Sequence, residues 1–515
     1  MTNKKNSIVY SLVIILTILV SACSATASSA AVPNDANTDI SAPADSQRMP
    51  PEGAPEGAPE GMMPEGTPGV QPPDGNAPAE EAPAAKETVE ATATATIAPT
   101  ATPDEESTEA ASELNINAVL SVAEKTFIKT DEDISATDDD TSAALITNAG
   151  NLTIGKIAVT TSGDTSSVNN SAGKGQNAAI LGQQGSTLKV LYGSVNTSGK
   201  GATGVYAIGE ETMAAVLEET IKTSGDYARG VMVSKMAAMT VTDTDISTSG
   251  YKSPAIATGN NTGSITVENG SAATSGINSA AVYSTDTVNL SGTTLSADAS
   301  PVAAIEGAGS ISMTDVDATS GISDGGAVQF YPSSSSNVES GQGSLSMEGG
   351  SLASTGSNGA LFYAADAEGK VELNDVAVNT ASGILVKTVA LENDKYSTGG
   401  ALTLSVEKQT LTGDVVADAA SSVTLELENG SNLTGAISTN NEGRAVNLTL
   451  DESSTWTVTA DSYLTKLNDE DGISNNDVTN IIGNGFTVYY NKNANVYLRG
   501  RIYNLNGGGY LKPLN

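Results

Sequence analysis

The sequence predicts an all-β fold, a right-handed parallel β-helix (solenoid), from Leu114 onward. The first observation is a Thr-Ser-Gly tripeptide that recurs at a step of about 25 residues, which is the period of a solenoid unit. The second is a two-residue alternation of apolar side chains in short segments bounded by Gly, Asn, Asp and Ser, which is typical of β-strands. The third is a content of only 4% aromatic residues, which suits a narrow core of Ala, Val, Ile and Leu.

The Thr-Ser-Gly tripeptide is interpreted as the marker of one repeat unit. It begins at residues 161, 197, 223, 248, 274 and 319, and Ser354-Thr355-Gly356 is a variant of it. The longer gaps in this series are interpreted as insertions or as two coils. Asn269-Gly270 and Asn429-Gly430 supply residues that tolerate a positive φ at the bends between strands.

Apolar residues two positions apart are predicted to share one face of a strand. No segment with helical periodicity has the required length. A series of β-sandwiches is the alternative interpretation, and it would show hairpin turns at a spacing of about 8–12 residues. The predicted pairs are Ile265 and Val267, Ala280 and Val282, Val288 and Leu290, Ala303 and Ile305, Ile311 and Met313, Val328 and Phe330, Leu345 and Met347, Leu361 and Tyr363, and Val371 and Leu373.

Residues 1–22 are predicted to be a signal peptide of the lipoprotein type. Lys4 and Lys5 give a positive start, and an apolar stretch follows over residues 8–20. This stretch is short for a membrane span, whereas it has the length of the apolar region of a signal peptide. The prediction places the mature protein outside the cytoplasm.

The segment Val20-Ser21-Ala22-Cys23 resembles the lipobox of bacterial lipoproteins, in which small residues precede a lipidated cysteine. The resemblance implies that Cys23, the single cysteine of the chain, is lipidated and becomes the new N-terminus. An ordinary signal peptide and an uncleaved anchor are the alternatives, and either one also exports the protein. Acyl chains would hold the protein at the membrane, since each buried methylene contributes about 0.8 kcal/mol.

Residues 23–113 are predicted to be a disordered, acidic, Pro-rich tether that begins with the lipidated cysteine. The segment contains PEGAPEGAPEGMMPEGTPG and almost no large apolar residues, so it cannot bury enough surface to offset its ordering entropy. At about 3.1 Å per residue it would reach nearly 280 Å when fully extended. That length is sufficient to carry a domain through a cell wall to the cell surface.

The remaining chain is divided into a β-helix repeat domain, residues 114–450, and a C-terminal coil with a β-rich cap, residues 451–515. The second part contains a pattern formed by Ser454, Trp456, Val458, Thr459, Ser462, Leu464 and Leu467. This pattern resembles the terminal coil of autotransporter-type β-helical adhesin passengers, with Ala460 in place of the usual Gly. The resemblance implies a β-helical surface protein in which the lipid replaces the membrane barrel as anchor.

Aromatic residues concentrate in this C-terminal part and are predicted to close the open end of the solenoid. Trp456 alternates with Val458, so it should be buried as a structural cap. Phe486, Val488 and Tyr490 should likewise share one inward face. The other aromatic residues of this group are Tyr489, Tyr497, Tyr503 and Tyr510.

Composition excludes several function classes. The chain has 24 Lys and Arg against 60 Asp and Glu, a net charge of −36, so a nucleic-acid partner is not expected. It contains no histidine, which removes Ser-His-Asp and Cys-His catalysis and imidazole metal sites. One cysteine cannot form an intrachain disulfide.

Enzymatic activity must still be weighed, because β-helices host pectate lyases and polygalacturonases. Arg229 and Arg444 are the arginines within the repeats, and neither has the Arg-x-Pro-x-x-Arg setting of the lyases. A carboxylate pair for glycoside hydrolysis requires two acids at a suitable separation. Asp243 with Asp245 and Asp315 with Asp317 alternate on one predicted strand face, and we expect them to be solvated outward side chains.

Acidic residues can also bind calcium. No cofactor is predicted, and calcium is the single alternative. Asp138-Asp139-Asp140 and the loop Asn468-Asp469-Glu470-Asp471-Gly472 are interpreted as solvated loops, with adventitious calcium as the alternative. The Gly-rich segments SAGKGQN and NLNGGGY lack the P-loop and dinucleotide contexts. They are interpreted as turns between strands.

These observations predict a non-catalytic, lipid-anchored protein of the cell surface, most simply a monomer. Its function is expected to be adhesion or the binding of a surface glycan or a host-cell ligand, because stacked coils suit weak repeated contacts. A β-helical polysaccharide lyase or hydrolase with an unrecognised carboxylate site is one alternative. A purely structural surface stalk is the other.

Overall fold

The computed structural model describes residues 114–259, 262–334, 336, 338–391 and 397–514, which form an all-β parallel solenoid of about 16 turns. The predicted parallel β-helix is therefore confirmed. The predicted signal peptide, the lipobox with Cys23 and the tether lie outside the described residues.

Three long parallel sheets form the walls of the solenoid, and most coils contribute one strand to each in chain order. Sheet 1 contains Asn117–Ala123, Thr141–Thr147, Ile180–Gln183, Val205–Ile208, Val231–Ser234, Ile256–Thr258, Val282–Ser284, Ala303–Glu306, Gly326–Tyr331, Ala360–Ala365, Ile384–Val389 and Asp414–Ala417. Sheet 2 contains Thr126–Lys129, Asn151–Gly155, Thr187–Leu191, Met213–Leu217, Ala237–Thr242, Gly263–Glu268, Thr287–Ser291, Ser310–Thr314, Gly343–Glu348, Glu368–Asn374, Ala401–Glu407, Ser422–Glu428, Ala445–Leu450 and Lys466–Asn468. Sheet 3 contains Ile134–Ala136, Ala158–Thr161, Ser194–Thr197, Thr220–Thr223, Asp245–Thr248, Ser271–Thr274, Thr294–Ala297, Asp317–Ser320, Ser351–Ser354 and Ala377–Thr380.

A fourth sheet forms the C-terminal coils, and parallel pairing continues through them. Trp456 pairs with Leu433 of the preceding coil and with Ile481 of the following one. Sheet 4 contains Thr410–Thr412, Asn432–Gly435, Thr455–Val458, Ser462–Leu464, Ile473–Ser474, Asp477–Ile482, Thr487–Asn491, Tyr503–Asn506 and Tyr510–Leu514.

Alternate side chains of the strands form one continuous core. In Ser422–Glu428 the buried residues are Val423, Leu425 and Leu427, and most of the predicted pairs are buried in the same way. Two predicted pairings are wrong. Ala280 precedes its strand and packs with Ala304 and Tyr331 in a cluster separate from the main core. Tyr363 is half-buried, whereas its neighbour Phe362 packs in the main core.

The glycine of the Thr-Ser-Gly tripeptide is required by the close stacking of coils. A Cβ atom added to Gly225 would lie 1.9 Å from the carbonyl oxygen of Gly199, and one added to Gly199 would lie 1.9 Å from that of Gly163. The threonine of the tripeptide points inward. The Thr223 hydroxyl donates a hydrogen bond to the carbonyl of Ala228 across the corner at 2.8 Å. At residues 161, 197, 223, 248 and 274 the tripeptide is thus a corner motif that leaves only the serine exposed, whereas at 319 Ser320 is the buried residue and Thr319 is exposed.

A residue in the left-handed conformation makes the corner that follows sheet 2, which leads to sheet 3 or, in the C-terminal coils, to sheet 4. Asn269 (φ 60°) and Asn429 (φ 56°) occupy this position as predicted, each followed by a glycine with positive φ. The residue after the left-handed one is usually buried, as Thr244 and Val316 are. Other residues at the left-handed position include Lys156, Tyr192, Glu218, Asp243, Asp315, Asp375 and Lys408.

Buried serines at the corner before sheet 1 satisfy backbone groups between coils. The Ser279 hydroxyl accepts a hydrogen bond from the Ser253 N–H at 2.9 Å and donates to the Gly250 carbonyl at 2.8 Å. Ser300 does the same one coil later, with Ser279 and Gly276. These buried serines are therefore structural, because buried polar groups without partners are costly.

The two ends of the described solenoid are closed differently. In the first coil, Phe127 and Lys129 lie over the inward residues Leu152 and Ile154, and the Lys129 ammonium contacts Glu132 at 2.9 Å. An inward charge of this kind opposes edge-to-edge pairing. At the C-terminal end, Tyr503–Asn506 and Tyr510–Leu514 form an antiparallel hairpin that continues two neighbouring strands.

The prediction for the C-terminal aromatic residues is correct for some residues and wrong for others. Trp456 and Tyr490 are fully buried, and Tyr503 is nearly so. Phe486 is 37% exposed because it lies in the turn before Thr487–Asn491, outside the strand alternation, and Tyr510 is also exposed. The NLNGGGY segment is the turn of the terminal hairpin, as predicted, with positive φ at its three glycines.

Two short helices interrupt the strands, and the sequence did not predict them. The helix Val168–Lys174 is capped by the Ser167 hydroxyl and ends at Gly175 (φ 77°), so SAGKGQN is a helix end and not a turn between strands. A 3-10 helix spans Val496–Leu498. Neither of these helices of the described chain has the length and apolar character needed to cross a membrane.

Candidate functional site

A groove runs along the outer surface of sheet 3 and is the candidate site. Its volume is 560 Å³, and its lining extends from Ser135 in the first coil to Ser275 in the sixth. With a spacing of about 4.8 Å between coils, these six coils span roughly 24 Å. The groove therefore has the shape needed for an extended ligand that lies parallel to the solenoid axis.

Two outward rows of side chains form this groove, which we call the sheet 3 groove. Between them lie the buried threonines of the corner motif, such as Thr197 and Thr223. The first row is Thr160, Asn196, Lys222 and Ser247, one residue before each of these threonines. The second row is Ser162, Ser198, Ser224 and Ser249, one residue after them.

The lining can donate and accept hydrogen bonds in every coil. Hydroxyl groups do both, the Asn196 amide does both, and the Lys222 ammonium donates. No carboxylate is among the lining residues, although the chain as a whole is strongly acidic. A polymer that is rich in hydroxyl groups matches this pattern.

The sequence could have indicated the groove only in part. Outward ladders of Ser and Thr beside each inward residue follow from the strand alternation. The concave path between the two rows arises because the chain leaves the strand at Thr161 or Thr197 and bends at the following Ser-Gly. The Thr-Ser-Gly tripeptide marks this bend in each coil, but only the register of several coils together shows that the bends form a groove.

The proposed carboxylate pairs do not share a strand face. Asp243 and Asp315 are the left-handed corner residues, with φ of 48° and 52°, whereas Asp245 and Asp317 are the first residues of their sheet 3 strands. All four are exposed, as expected. The carboxylates of Asp245 and Asp317 accept hydrogen bonds from Ser271 and Ser351 in the next coil, both at 2.6 Å.

The acidic segment Asp138-Asp139-Asp140 organises the next coil. Asp139 Oδ1 accepts a hydrogen bond from the Asp164 N–H at 2.8 Å, and Asp140 Oδ1 accepts one from the Ser166 N–H at 2.7 Å. Asp164 repeats the pattern one coil later with the Lys200 N–H. These carboxylates are therefore bound to backbone groups as well as being exposed to solvent.

The interpretation of the second acidic loop as solvated is wrong for Asp469. This residue is 1% exposed, and its Oδ1 accepts hydrogen bonds from Gly472 N and Asn480 Nδ2. Burial raises its pKa to about 6. In the described part of the chain, no three Asp or Glu side chains are grouped so that they could hold a metal ion.

Glu219 is a buried acid that sequence reasoning missed. It follows the left-handed corner residue Glu218, so its side chain enters the solenoid and is 4% exposed. Its Oε1 accepts a hydrogen bond from the Gly193 N–H at 2.8 Å. Burial raises its pKa from the ordinary 4.5 to about 7, and the bond from Gly193 opposes the rise.

Glu219 is expected to make the solenoid less stable as pH rises. A pKa raised in the folded state means that protonation favours folding, so this stabilisation is complete below pH 4.5 and is lost as pH approaches 7. Glu219→Gln should remove the dependence and raise the free energy of unfolding at pH 8 by about 3 kcal/mol, since one pKa unit corresponds to about 1.4 kcal/mol. Denaturant unfolding at pH 4.5, 6 and 8 measures this.

Gln409 offers a matched control for that experiment. It occupies the same corner position after Lys408, and its Oε1 accepts a hydrogen bond from Val376 N at 3.0 Å. Gln409→Glu should therefore introduce a loss of stability between pH 4.5 and 8. An equal pH profile for wild type and Glu219→Gln would show that Glu219 is solvated.

Trp456 lies in the C-terminal coils, away from the lining of the sheet 3 groove. It is fully buried, and its Nε1–H donates to the carbonyl of Gly435 at 2.9 Å. Val20, Ser21, Ala22 and Cys23 lie outside the described residues. Trp456 is therefore a packing residue that lies outside the groove. The lipobox stays a prediction.

Comparison of the chain with models of known protein families finds no match, and searches of curated proteins and of solved structures also find none.

Proposed function

We propose that this protein is a lipid-anchored protein of the cell surface whose solenoid binds an extended glycan in the sheet 3 groove without cleaving it. The observation that carries the proposal is the groove of 560 Å³, lined over six coils by hydroxyl groups, an amide and one ammonium group. Its length suits a linear polymer, since each coil offers a similar set of contacts that add by avidity. A lining without a carboxylate favours binding over glycoside hydrolysis, which requires two.

Filling the groove should weaken binding without affecting the fold. Ser224 is an exposed member of the second row, and Ser224→Trp should weaken binding of a linear oligosaccharide at least about tenfold, equivalent to ~1.4 kcal/mol. Titration calorimetry with oligosaccharides selected on a glycan array measures this. Ser312 is an equally exposed serine on the outer face of sheet 2, so Ser312→Trp is the matched control.

The binding proposal is wrong if both tryptophan variants bind the selected oligosaccharide as wild type does. Unchanged thermal unfolding of the two variants ensures that the comparison reports on the groove. Release of reducing ends or of unsaturated products during the titration would instead support the lyase or hydrolase alternative.

Cys23→Ser should release the protein from the membrane fraction or leave it unprocessed. The reason is that the segment Val20-Ser21-Ala22-Cys23 provides the single thiol available for acylation. Cell fractionation, with mass spectrometry of the N-terminal peptide, measures the outcome. A variant that remains membrane-bound and is processed normally would exclude the lipobox interpretation.

A further inference from the structure

The sheet 3 groove carries a positive charge at its centre. Lys222 occupies the first row, where the neighbouring coils have Asn196 and Ser247. Its side chain is exposed, and its ammonium is the only charged group among the lining residues. At physiological ionic strength charges act over about 8 Å, so this ammonium, which belongs to the lining itself, acts directly on a bound ligand.

A cluster of lysines and tyrosines follows the second row directly at the same corner. Lys200 comes immediately after Ser198-Gly199, and its Nζ lies 5.9 Å from the centre of the Tyr227 ring. Tyr227 packs edge-to-face on Tyr251 at 5.8 Å, and Lys252 Nζ lies 5.6 Å from the Tyr251 ring. Tyr251 is 39% exposed, so the cluster forms part of the accessible surface beside the groove.

Lys200 and Lys222 form no salt bridge with any residue that the structure describes. Two acids at the same corner of neighbouring coils accept hydrogen bonds from backbone groups. Asp164 Oδ1 accepts the Lys200 N–H, and Asp226 Oδ1 accepts the Tyr251 N–H, at 2.8 and 2.9 Å. Their carboxylates are thus bound to the backbone of the following coil, which leaves the two ammonium groups available to a ligand.

We infer that the groove selects linear glycans that carry carboxylate groups, an inference that rests on the proposed glycan-binding function. Lys222 would contact a carboxylate within the groove. Lys200, one coil earlier and beyond the second row, would contact another at the edge. The hydroxyl rows supply the contacts that are common to all glycans, whereas the two lysines distinguish charged from neutral chains.

Oligogalacturonate and its fully methyl-esterified form are a suitable pair of probes, because they differ in charge and share a backbone. Calorimetric titration of the full chain at 0.15 M salt should give tighter binding of the free acid. Lys222→Ser, which introduces the residue found in the next coil, should weaken binding of the acid about fivefold, the upper range for an exposed ion pair. Binding of the methyl ester should be unchanged.

The double variant Lys200→Ser/Lys222→Ser should bind the acid and the ester equally. Lys189→Ser is the matched control, since Lys189 is an exposed lysine on sheet 2, away from the groove. If the control weakens acid binding as much as Lys222→Ser does, the effect is general electrostatics and the inference is wrong.

Two further results separate this inference from the proposed function. Equal binding of acid and ester by wild type, lost in Ser224→Trp, would overturn the charge selectivity and retain the glycan groove. Binding of neither probe, together with no hit on a glycan array, would overturn both.

Discussion

Gly225→Ala is expected to destabilise the solenoid by at least about 3 kcal/mol, the upper range for overpacking a core. The added Cβ would lie 1.9 Å from the carbonyl oxygen of Gly199 and 2.5 Å from its carbonyl carbon. Both atoms belong to the backbone of the preceding coil, so no side-chain rotation relieves the clash. Denaturant unfolding measured by circular dichroism gives the free-energy change.

Gly173→Ala is the matched control, because Gly173 lies in the helix Val168–Lys174 and its added Cβ would meet nothing within 4 Å. Alanine favours a helix over glycine, so this variant should gain up to about 1 kcal/mol. Equal stabilities of the two variants would show that neighbouring coils can move apart at this corner without loss of folding free energy. That result would contradict the close stacking described above.

Trp456→Ala should cost about 3–5 kcal/mol, the usual range for emptying a large aromatic site in a core. The ring is fully buried, and the substitution also leaves the Gly435 carbonyl without its donor. Because stability in a solenoid passes between neighbouring coils, the C-terminal coils should become sensitive to protease before the N-terminal ones. Thermal unfolding combined with limited proteolysis measures both effects.

Trp456→Phe keeps most of the buried volume and removes the indole N–H, so it should cost less than the alanine variant. The hydrogen bond alone accounts for about 1–3 kcal/mol when a buried carbonyl loses its donor. If Trp456→Ala retains wild-type stability and loses ligand binding, Trp456 is a contact residue and its assignment to the core is wrong.

The solenoid could be predicted from the sequence because its two periodicities are independent of each other. The two-residue alternation at Ile265 and Val267 indicates a strand, and the repeated Thr-Ser-Gly indicates that the strands recur at a fixed period along the chain. Most of the errors occur where the chain leaves the strand alternation, although Tyr363 lies within a strand. Phe486 and Glu219 each lie at a turn, and a single left-handed residue is sufficient to reverse which side chain faces inward.

The candidate site could be predicted less completely, because it depends on several coils together. Lys222 is visible as an outward residue beside the inward Thr223, yet nothing in its own coil indicates a groove. The groove appears when Ser198, Ser224 and Ser249 come into register across coils. A further insertion, the helix Val168–Lys174, occupies the long gap between two tripeptides and has too few residues for a periodic signal.

The repeated corner also makes the coil a unit that genetic recombination can add or remove. Gly250 meets the Gly225 carbonyl and Gly276 meets that of Gly250, each with an added-Cβ distance of 2.0 Å. Loss of residues 226–250 would therefore bring Gly276 over Gly225 with the same geometry. Each such event changes the solenoid by about 4.8 Å, so variation in coil number among descendants would alter the length of the groove and the number of its contacts while keeping the stacking at the corner.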